Sequence, residues 1–462
     1  MGSILRVANP FNVRKIAIIG AGPSGLAAAK YLEAEKYFEK IDIFEQQSEV
    51  GGVWHYTPRS DEKVSIPSTG PDVPPEKPIW PKGSKAPIFS NPMYEHLNTN
   101  IPKALMAYSD HEFPTESLLF PTRQDVQEYL IQYSQDVRHL ISFSTQIDEV
   151  RSLPENRWEL TIKSTVTGES KKAEYDAIVL SNGHYSVPFI PSVTGIEAFN
   201  TAYPGLITHS KIYRSPEGFK NKKVIVVGSA ASGLDIGTQI SLICKKPLFN
   251  SVRSSSPIKL GQENKEEVPP IAEYLVEEKG VRFENGRIEK DIDAIVYCTG
   301  YFYSYPFLKS LNPPVVTTGR RVEGLYQHLF NIAHPTLAFL VLPQKVVPFP
   351  ISEVQAAAVA RVWSNNLNLP SHEEMEKWEK KRVEDAGEGK GFHVMGYPKD
   401  AEYINGLHDW VKTSGFKKEP AFWSSEQIWL RVNYGDVRKK FVETGGHAKT
   451  IEELGFKFEE SP

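Results

Sequence analysis

A chain of 462 residues with 40% hydrophobic and 24% charged residues is too long for one ordinary core and divides into about two or three globular units. A formal net charge of −4 excludes the strongly basic surface that wraps nucleic acid or coats an anionic membrane. Its two cysteines, Cys244 and Cys298, form no C-x-x-C pair, which excludes a disulfide scaffold, a cysteine zinc site and a dithiol redox centre.

Met1 to Val13 lacks the apolar core of a signal peptide, and no stretch approaches the ~18 apolar residues of a membrane span. The segment from Glu453 to Pro462 is polar. A reducing, cytosolic setting is expected. A peripheral association with a membrane and a homodimer are both compatible with the sequence.

Lys15 to Gly20 reads as a short buried strand, Pro23 to Glu35 as a helix, and Ile41 to Glu45 as a second strand. This βαβ start implies parallel strands with helices on both faces. Between strand and helix lies Gly20-Ala21-Gly22-Pro23-Ser24-Gly25, which fits G-x-G-x-x-G. The first glycine makes a tight turn, the second admits a pyrophosphate to the backbone, and the third lets the helix pack on the strand. The helix N-terminus then turns free N–H groups toward the phosphates. Glu45, ~20 residues past the last glycine, is placed to bind a ribose hydroxyl. Gly51-Gly52-Val53-Trp54 follows, and paired glycines allow a flat or charged ligand close to the backbone.

Val64 to Pro92 holds eight prolines and shows no periodicity, so a long irregular loop is expected there. Ile79, Trp80, Ile88 and Phe89 should pack it against the body.

The strand–helix pattern recurs at Lys222 to Gly228 and Ser232 to about Cys244. The turn between them, Gly228-Ser229-Ala230-Ala231-Ser232-Gly233, has the same frame with Ala230 at the middle glycine. Where the first unit has its acid, the second has Arg253 followed by Ser254 to Ser256. A guanidinium and hydroxyls suit a ribose 2′-phosphate, which favours NADPH over NADH. A solvated surface charge is the alternative for Arg253.

A second echo supports the duplication. Asp176 to Gly183 reads D-A-I-V-L-S-N-G and Asp293 to Gly300 reads D-A-I-V-Y-C-T-G. These segments bracket the second βαβ unit. The expected fold is therefore α/β, with two Rossmann-like dinucleotide-binding domains and the second inserted in the first. Residues 196–304 would form the inserted domain, and 1–195 with 305–462 the discontinuous one.

At this point the chain resembles a flavin-containing monooxygenase, most of all the fungal branch. The family signature F-x-G-x-x-x-H-x-x-x-[FY] is met by Tyr203 to Tyr213, with Gly205, His209 and Tyr213 in place and Tyr203 for Phe. Glu49 to Trp54, Tyr94 to Tyr108, Cys298 to Tyr301 and Leu337 to Gln355 resemble further family segments. The resemblance implies FAD on the first motif and NADPH on the second. It also implies cofactor contacts at Thr99, Val150, Thr299, Gly300, Gln344 and Val347. Asn100 would sit over the flavin ring and bond the oxygen adduct or the nicotinamide amide. An ordinary turn is the alternative for Asn100, and a core histidine for His209.

The chemistry implied is hydride transfer from NADPH to flavin, capture of O2 as a flavin hydroperoxide, and oxygen transfer to a small-molecule sulfur or nitrogen nucleophile. Such a site must exclude water. It needs no protein nucleophile and no metal, and no metal spacing occurs. A disulfide reductase of the same architecture would need the missing cysteine pair. An N-hydroxylase, a Baeyer–Villiger enzyme and a non-catalytic cofactor sensor stay open as alternatives.

Overall fold

The computed structural model describes residues 11–58, 63–253 and 262–459. The first glycine motif joins β1 (Lys15–Ile19) to α1 (Pro23–Glu35), and β2 (Lys40–Phe44) pairs parallel with β1. On the other side of β1 lies β3 (Ala177–Leu180), also parallel. The sheet is completed by Ile141–Ser142 beside β2, and by Leu337–Phe339, Phe330–Asn331 and Leu325–Tyr326 beyond β3. Its strands alternate between two cores. Ile16 and Ile18 pack toward the helices; Ala17 and Ile19 pack toward Trp158 and Leu160 of an antiparallel meander spanning Thr145 to Tyr175. This double burial is why K-I-A-I-I carries no polar alternation past its first residue.

The second sheet has β4 (Lys223–Val227), followed by α2 (Ala231–Ser241), β5 (Lys245–Ser251) and, later in the chain, β6 (Ala294–Tyr297). With Ile207–His209 and Lys265–Val268 it forms a five-stranded parallel sheet. The chain passes between the sheets along one two-stranded crossing, where Tyr301–Phe302 pairs antiparallel with Val187–Pro188.

The D-A-I-V echo now has a physical cause. Asp176 Oδ2 accepts from the backbone N–H groups of Arg14 and Lys15, and Asp293 Oδ2 accepts from Lys223 N–H. Each acid ties the start of its own strand to the neighbouring glycine-motif strand. β3 and β6 are therefore equivalent strands of a repeated fold, and the Asp293 segment lies within the second sheet rather than only at its border.

The C-terminal part returns to the first sheet and adds helices. α3 (Pro348–Trp363) is buried along nearly its whole length and packs on α1. Arg361 on α3 pairs with Glu35 at the end of α1 at 2.9 Å. The last long helix, α4 (Ser425–Glu443), opens with a capping box between Ser424 and Gln427.

The proline-rich segment is irregular, tied down by single bridges from Ser68 to Ile190 and from Ile79 to Ile88. Phe89 is buried and Ile79 and Ile88 are half-buried, but Trp80 is 49% exposed. The expectation that Trp80 packs inward is corrected: the Ile79–Ile88 bridge makes a hairpin-like excursion that carries Trp80 out of reach of the core. Among the described residues no helix is long and apolar enough to cross a membrane, and no group of His, Cys, Asp or Glu is arranged to hold a metal ion.

Candidate functional site: two glycine turns facing one crossing

A cleft opens at the carboxyl ends of β1, β2 and β3, where α/β folds bind ligands. Gly20, Gly22, Glu45, Gly52 and Val53 line it. Gly20 has φ of 104°, and a Cβ there would stand 2.6 Å from the Ser181 carbonyl oxygen. A Cβ on Gly25 would lie 1.9 Å from the Gly20 carbonyl, so this glycine is required by helix–strand contact. Gly22 differs. A Cβ there would meet nothing nearer than Gly52 Cα at 3.5 Å, an ordinary contact. The bareness of Gly22 serves the cleft rather than the packing.

Glu45 is buried. Its carboxylate accepts from Ala21 N–H at 2.8 Å and Gln47 N–H at 2.9 Å, so it braces the glycine turn from below. Burial raises its pKa, and the backbone N–H groups pull the other way. Gln47 Oε1 and Ser181 Oγ are buried without a protein partner, and both residues line the cleft. A bare backbone at Gly22, a helix N-terminus, a buried acid at the end of β2 and two orphaned polar atoms fit an adenine dinucleotide.

The proline-rich segment forms the far wall. Val73 to Glu76 and Phe89 to Pro92 line the cleft opposite the glycine turn. The wall is pinned at Glu76, whose main-chain oxygen accepts from Gln146 and whose carboxylate pairs with Lys211 at 2.8 Å. Lys211 is itself buried, inside the segment from Tyr203 to Tyr213.

The second turn repeats the geometry of the first. Gly228 has φ of 121°, and a Cβ there would stand 2.6 Å from the Cys298 carbonyl; a Cβ on Gly233 would stand 2.2 Å from the Gly228 carbonyl. Ser229 and Ser232 flank the start of α2, and Thr299 and Gly300 leave the end of β6 beside it. Arg253 lies two residues past β5, exposed at the same end of the sheet. Ser254 to Ser256 lie outside the described residues.

Other expected contacts stand elsewhere. Val150 does not reach the cleft. It is packed in the core with Trp158 and Leu160, beyond the register shift that separates it from Ile147, while Gln146 and Ile147 of the same strand line the cleft. Trp54 packs half-buried against the helical core, and Val347 is buried at the start of α3. Gln344 donates to the Tyr303 hydroxyl at 3.0 Å. Pro23 and Ser24 form the first turn of α1. Thr99 is buried and its carbonyl accepts from Arg438 of α4; Asn100, next to it, is exposed and does not line the first cleft.

His209 is fully buried, edge-on to Tyr301 at 5.1 Å, with Nδ1 accepting from Lys211 N–H. Burial lowers its pKa to about 3, so it is neutral at physiological pH and belongs to the crossing rather than to acid–base chemistry. Cys244 and Cys298 are both free, buried thiols, and burial pushes Cys298 up to about 12.

Ser181 and Asn182 were not singled out from the sequence. The D-A-I-V echo already held the signal, because residues just past the carboxyl end of the strand beside a glycine turn face the ligand.

The flavin-binding monooxygenase-like family model matches residues 86–266 and 267–432, most of the chain. The chain belongs to this family. It is a flavin-dependent monooxygenase with an NAD(P)-binding Rossmann-like unit. An NAD(P)-binding Rossmann-like family model matches residues 18–71, which contain the first glycine turn. The monooxygenase is 30% identical to the thiol-specific monooxygenase of Saccharomyces cerevisiae over 458 residues, covering 95% of each chain. It is 33% identical to flavin-containing monooxygenase FMO GS-OX-like 2 of Arabidopsis thaliana, covering 91% of this chain and 89% of that one. Among solved structures, S-allyl-L-cysteine S-oxygenase from Allium sativum superposes with a TM-score of 0.78 at 27% identity, covering 97% and 98%.

Proposed function

We propose that this monooxygenase uses NADPH and O2 to oxygenate a soft nucleophile, a thiol or thioether sulfur or an amine nitrogen. One observation carries the reading: two glycine turns of matched geometry, the Gly20 turn against Ser181 and the Gly228 turn against Cys298, lie on sheets joined by a single crossing. Sulfur is favoured by the relatives whose names specify a thiol or an S-allyl-cysteine.

In this reading residues 1–195 and 305–462 hold FAD, and residues 196–304 hold NADPH. Bound FAD supplies the redox chemistry with O2. The protein does the remaining work. Glu45 takes the ribose of the first dinucleotide while bracing the turn that receives its pyrophosphate. The N-terminus of α1 offsets the phosphate charge. The wall from Val73 to Glu76 and Phe89 to Pro92 keeps water off the cofactor. Asn100 supplies an amide to the bound cofactors. No buried histidine is used as an acid or base.

The test is purification followed by an assay of NADPH consumption, O2 uptake and product with a thioether, a thiol, an amine and a ketone. A yellow protein that converts thiol or thioether in step with NADPH is expected. A colourless protein that consumes no NADPH would overturn the reading in favour of a cofactor sensor.

A further inference from the structure

Lys211 is a buried charge with no part in the chemistry proposed above. It is 1% exposed, and lysines are almost never buried so completely unless paired. It stands two residues past Ile207–His209, an edge strand of the second sheet. Its backbone is held on both sides. Its N–H donates to His209 Nδ1 at 3.1 Å, and its carbonyl accepts from Arg214 Nη1 at 2.9 Å. His209 is set edge-on against Tyr301 of the crossing, so a fixed ring aims the turn from Ser210 to Ile212. From that turn Lys211 Nζ reaches the Glu76 carboxylate at 2.8 Å, on the far wall of the first cleft.

The two strips of that wall are held differently. Phe89 to Pro92 is tied within the first unit: Thr57 Oγ1 donates to the Phe89 carbonyl at 2.6 Å, and Asn91 Nδ2 to the His55 carbonyl at 2.7 Å. Val73 to Glu76 reads V-P-P-E. Pro74 and Pro75 have no N–H, and the Val73 N–H turns back to the Pro71 carbonyl at 3.0 Å. The hold on this strip therefore gathers at Glu76. Its carbonyl accepts from Gln146 Nε2 at 3.2 Å, and its carboxylate takes the Lys211 charge. An apolar side chain at position 211 would have packed without the cost of desolvating a cation. What a lysine adds there is reach and a charge-assisted bond.

We propose that Lys211 is a positioning residue for oxygenation: from the second sheet it clamps Glu76, and so holds the wall that keeps water off the cofactor in the first cleft. This deepens the function proposed above and rests on it. It also gives His209 a task, since a neutral ring whose Nδ1 accepts the Lys211 N–H aims the clamp. The shield over the first cleft is then set by where the second unit sits, and displacing that unit releases the wall.

Lys211→Met tests the clamp. Methionine fills similar space without charge, and the Glu76 side chain, 25% exposed, can turn its carboxylate to water. The measurements are amide hydrogen exchange, peroxide formed per NADPH consumed, and the melting temperature. The amides to follow are those of Ile79 and Ile88, which bond each other's carbonyls at 2.8 and 2.9 Å just beyond Glu76. Exchange about tenfold faster at these two, with Val224, Ile225 and Val226 of the second sheet unchanged and peroxide per NADPH raised severalfold, supports the proposal. Lys211→Arg, which keeps the cation, should restore both readings. Unchanged exchange at Ile79 and Ile88 overturns it. Exchange accelerated equally through the second sheet, with a lowered melting temperature, also overturns it, because that is a general loss of packing. Faster exchange with unchanged peroxide overturns it too, since the wall would then move without admitting water. Should Lys211→Met not fold, Glu76→Gln is read in the same way, because its amide oxygen still accepts from Nζ while the carboxylate charge is gone. If the wild-type protein consumes no NADPH, the functional reading fails by itself, and the exchange at Ile79 and Ile88 alone decides the clamp.

Discussion

Gly22 and Ala230 hold the same station at the start of their helices, with φ and ψ of −72° and −177° for the glycine and −80° and −174° for the alanine. Each offers its carbonyl to the first helical hydrogen bond, to Leu26 and to Leu234. The backbone thus needs no glycine at either position. What separates them is a methyl group, exposed at Ala230 at the N-terminus of α2.

Ala230→Gly should therefore lower the KM for NADPH severalfold while leaving FAD content and melting temperature nearly unchanged. Glycine is also the better helix N-cap of the two, which offsets its added freedom in the unfolded chain. Steady-state kinetics with NADPH, beside a thermal melt, check this. An unchanged KM would mean that the second dinucleotide does not approach the turn closely.

Gly22→Ala and Gly25→Ala should part company. At Gly22 the new methyl meets only ordinary contact, so the protein should fold with normal stability and lose FAD. At Gly25 the methyl would overlap the Gly20 carbonyl, and the strand and helix must separate. That overpacking should cost about 3 kcal/mol or more. Flavin absorbance and chemical denaturation of both variants read the two effects separately. Loss of stability at Gly22 would place its role in packing after all.

The parts of this fold that were legible in sequence are those fixed by local chemistry. A glycine turn running into Pro23 announces α1, and an acid bonded to the backbone N–H of the neighbouring strand announces β3 and, in echo, β6. The far wall of the cleft was not legible. Val73 to Glu76 have no periodicity, and their place depends on Lys211 reaching Glu76 across 135 residues. The same holds for Thr99, whose carbonyl is bonded by Arg438 from a helix 339 residues away. The core position of Val150 was not legible for a simpler reason: the meander strand containing it and its register shift were not foreseen.

Asn100 gains a context from that distant contact. Arg438 reaches the Thr99 carbonyl and also lies 3.9 Å from Asp235 on α2, so the bend that carries Asn100 is tethered to both glycine units. Asn100→Ala should keep FAD and NADPH oxidation and lower oxygenated product per NADPH by about tenfold, as loss of one hydrogen bond to a charged group would. The missing product should appear as hydrogen peroxide. Peroxide measured against NADPH consumed checks this, and unchanged coupling would remove Asn100 from the chemistry.

Glu353 makes stability depend on pH. It is buried on α3, where it meets the Tyr31 hydroxyl at 3.0 Å and the backbone and side chain of Ser109 at 2.9 and 2.8 Å. The Tyr31 hydroxyl also lies 3.0 Å from the Glu419 carbonyl and has one proton to give. A protonated Glu353 resolves this, donating to Tyr31 while Tyr31 donates to Glu419. Burial raises the Glu353 pKa to about 7, against the hydrogen bonds from Ser109 and Tyr31 and the charge of Lys418, which lower it. The folded value thus exceeds the unfolded one, about 4.3, so between them the native state holds a proton that the unfolded chain has released. This contribution is full below the unfolded pKa and is lost as pH rises through about 7, on the order of 4 kcal/mol. Glu353→Gln keeps an amide donor for Tyr31 and an acceptor for Ser109 without the charge. Its denaturation midpoint should exceed that of the wild type at pH 8 and match it near pH 4. Parallel midpoints for the two proteins across that range would show that Glu353 stays ionised in the fold.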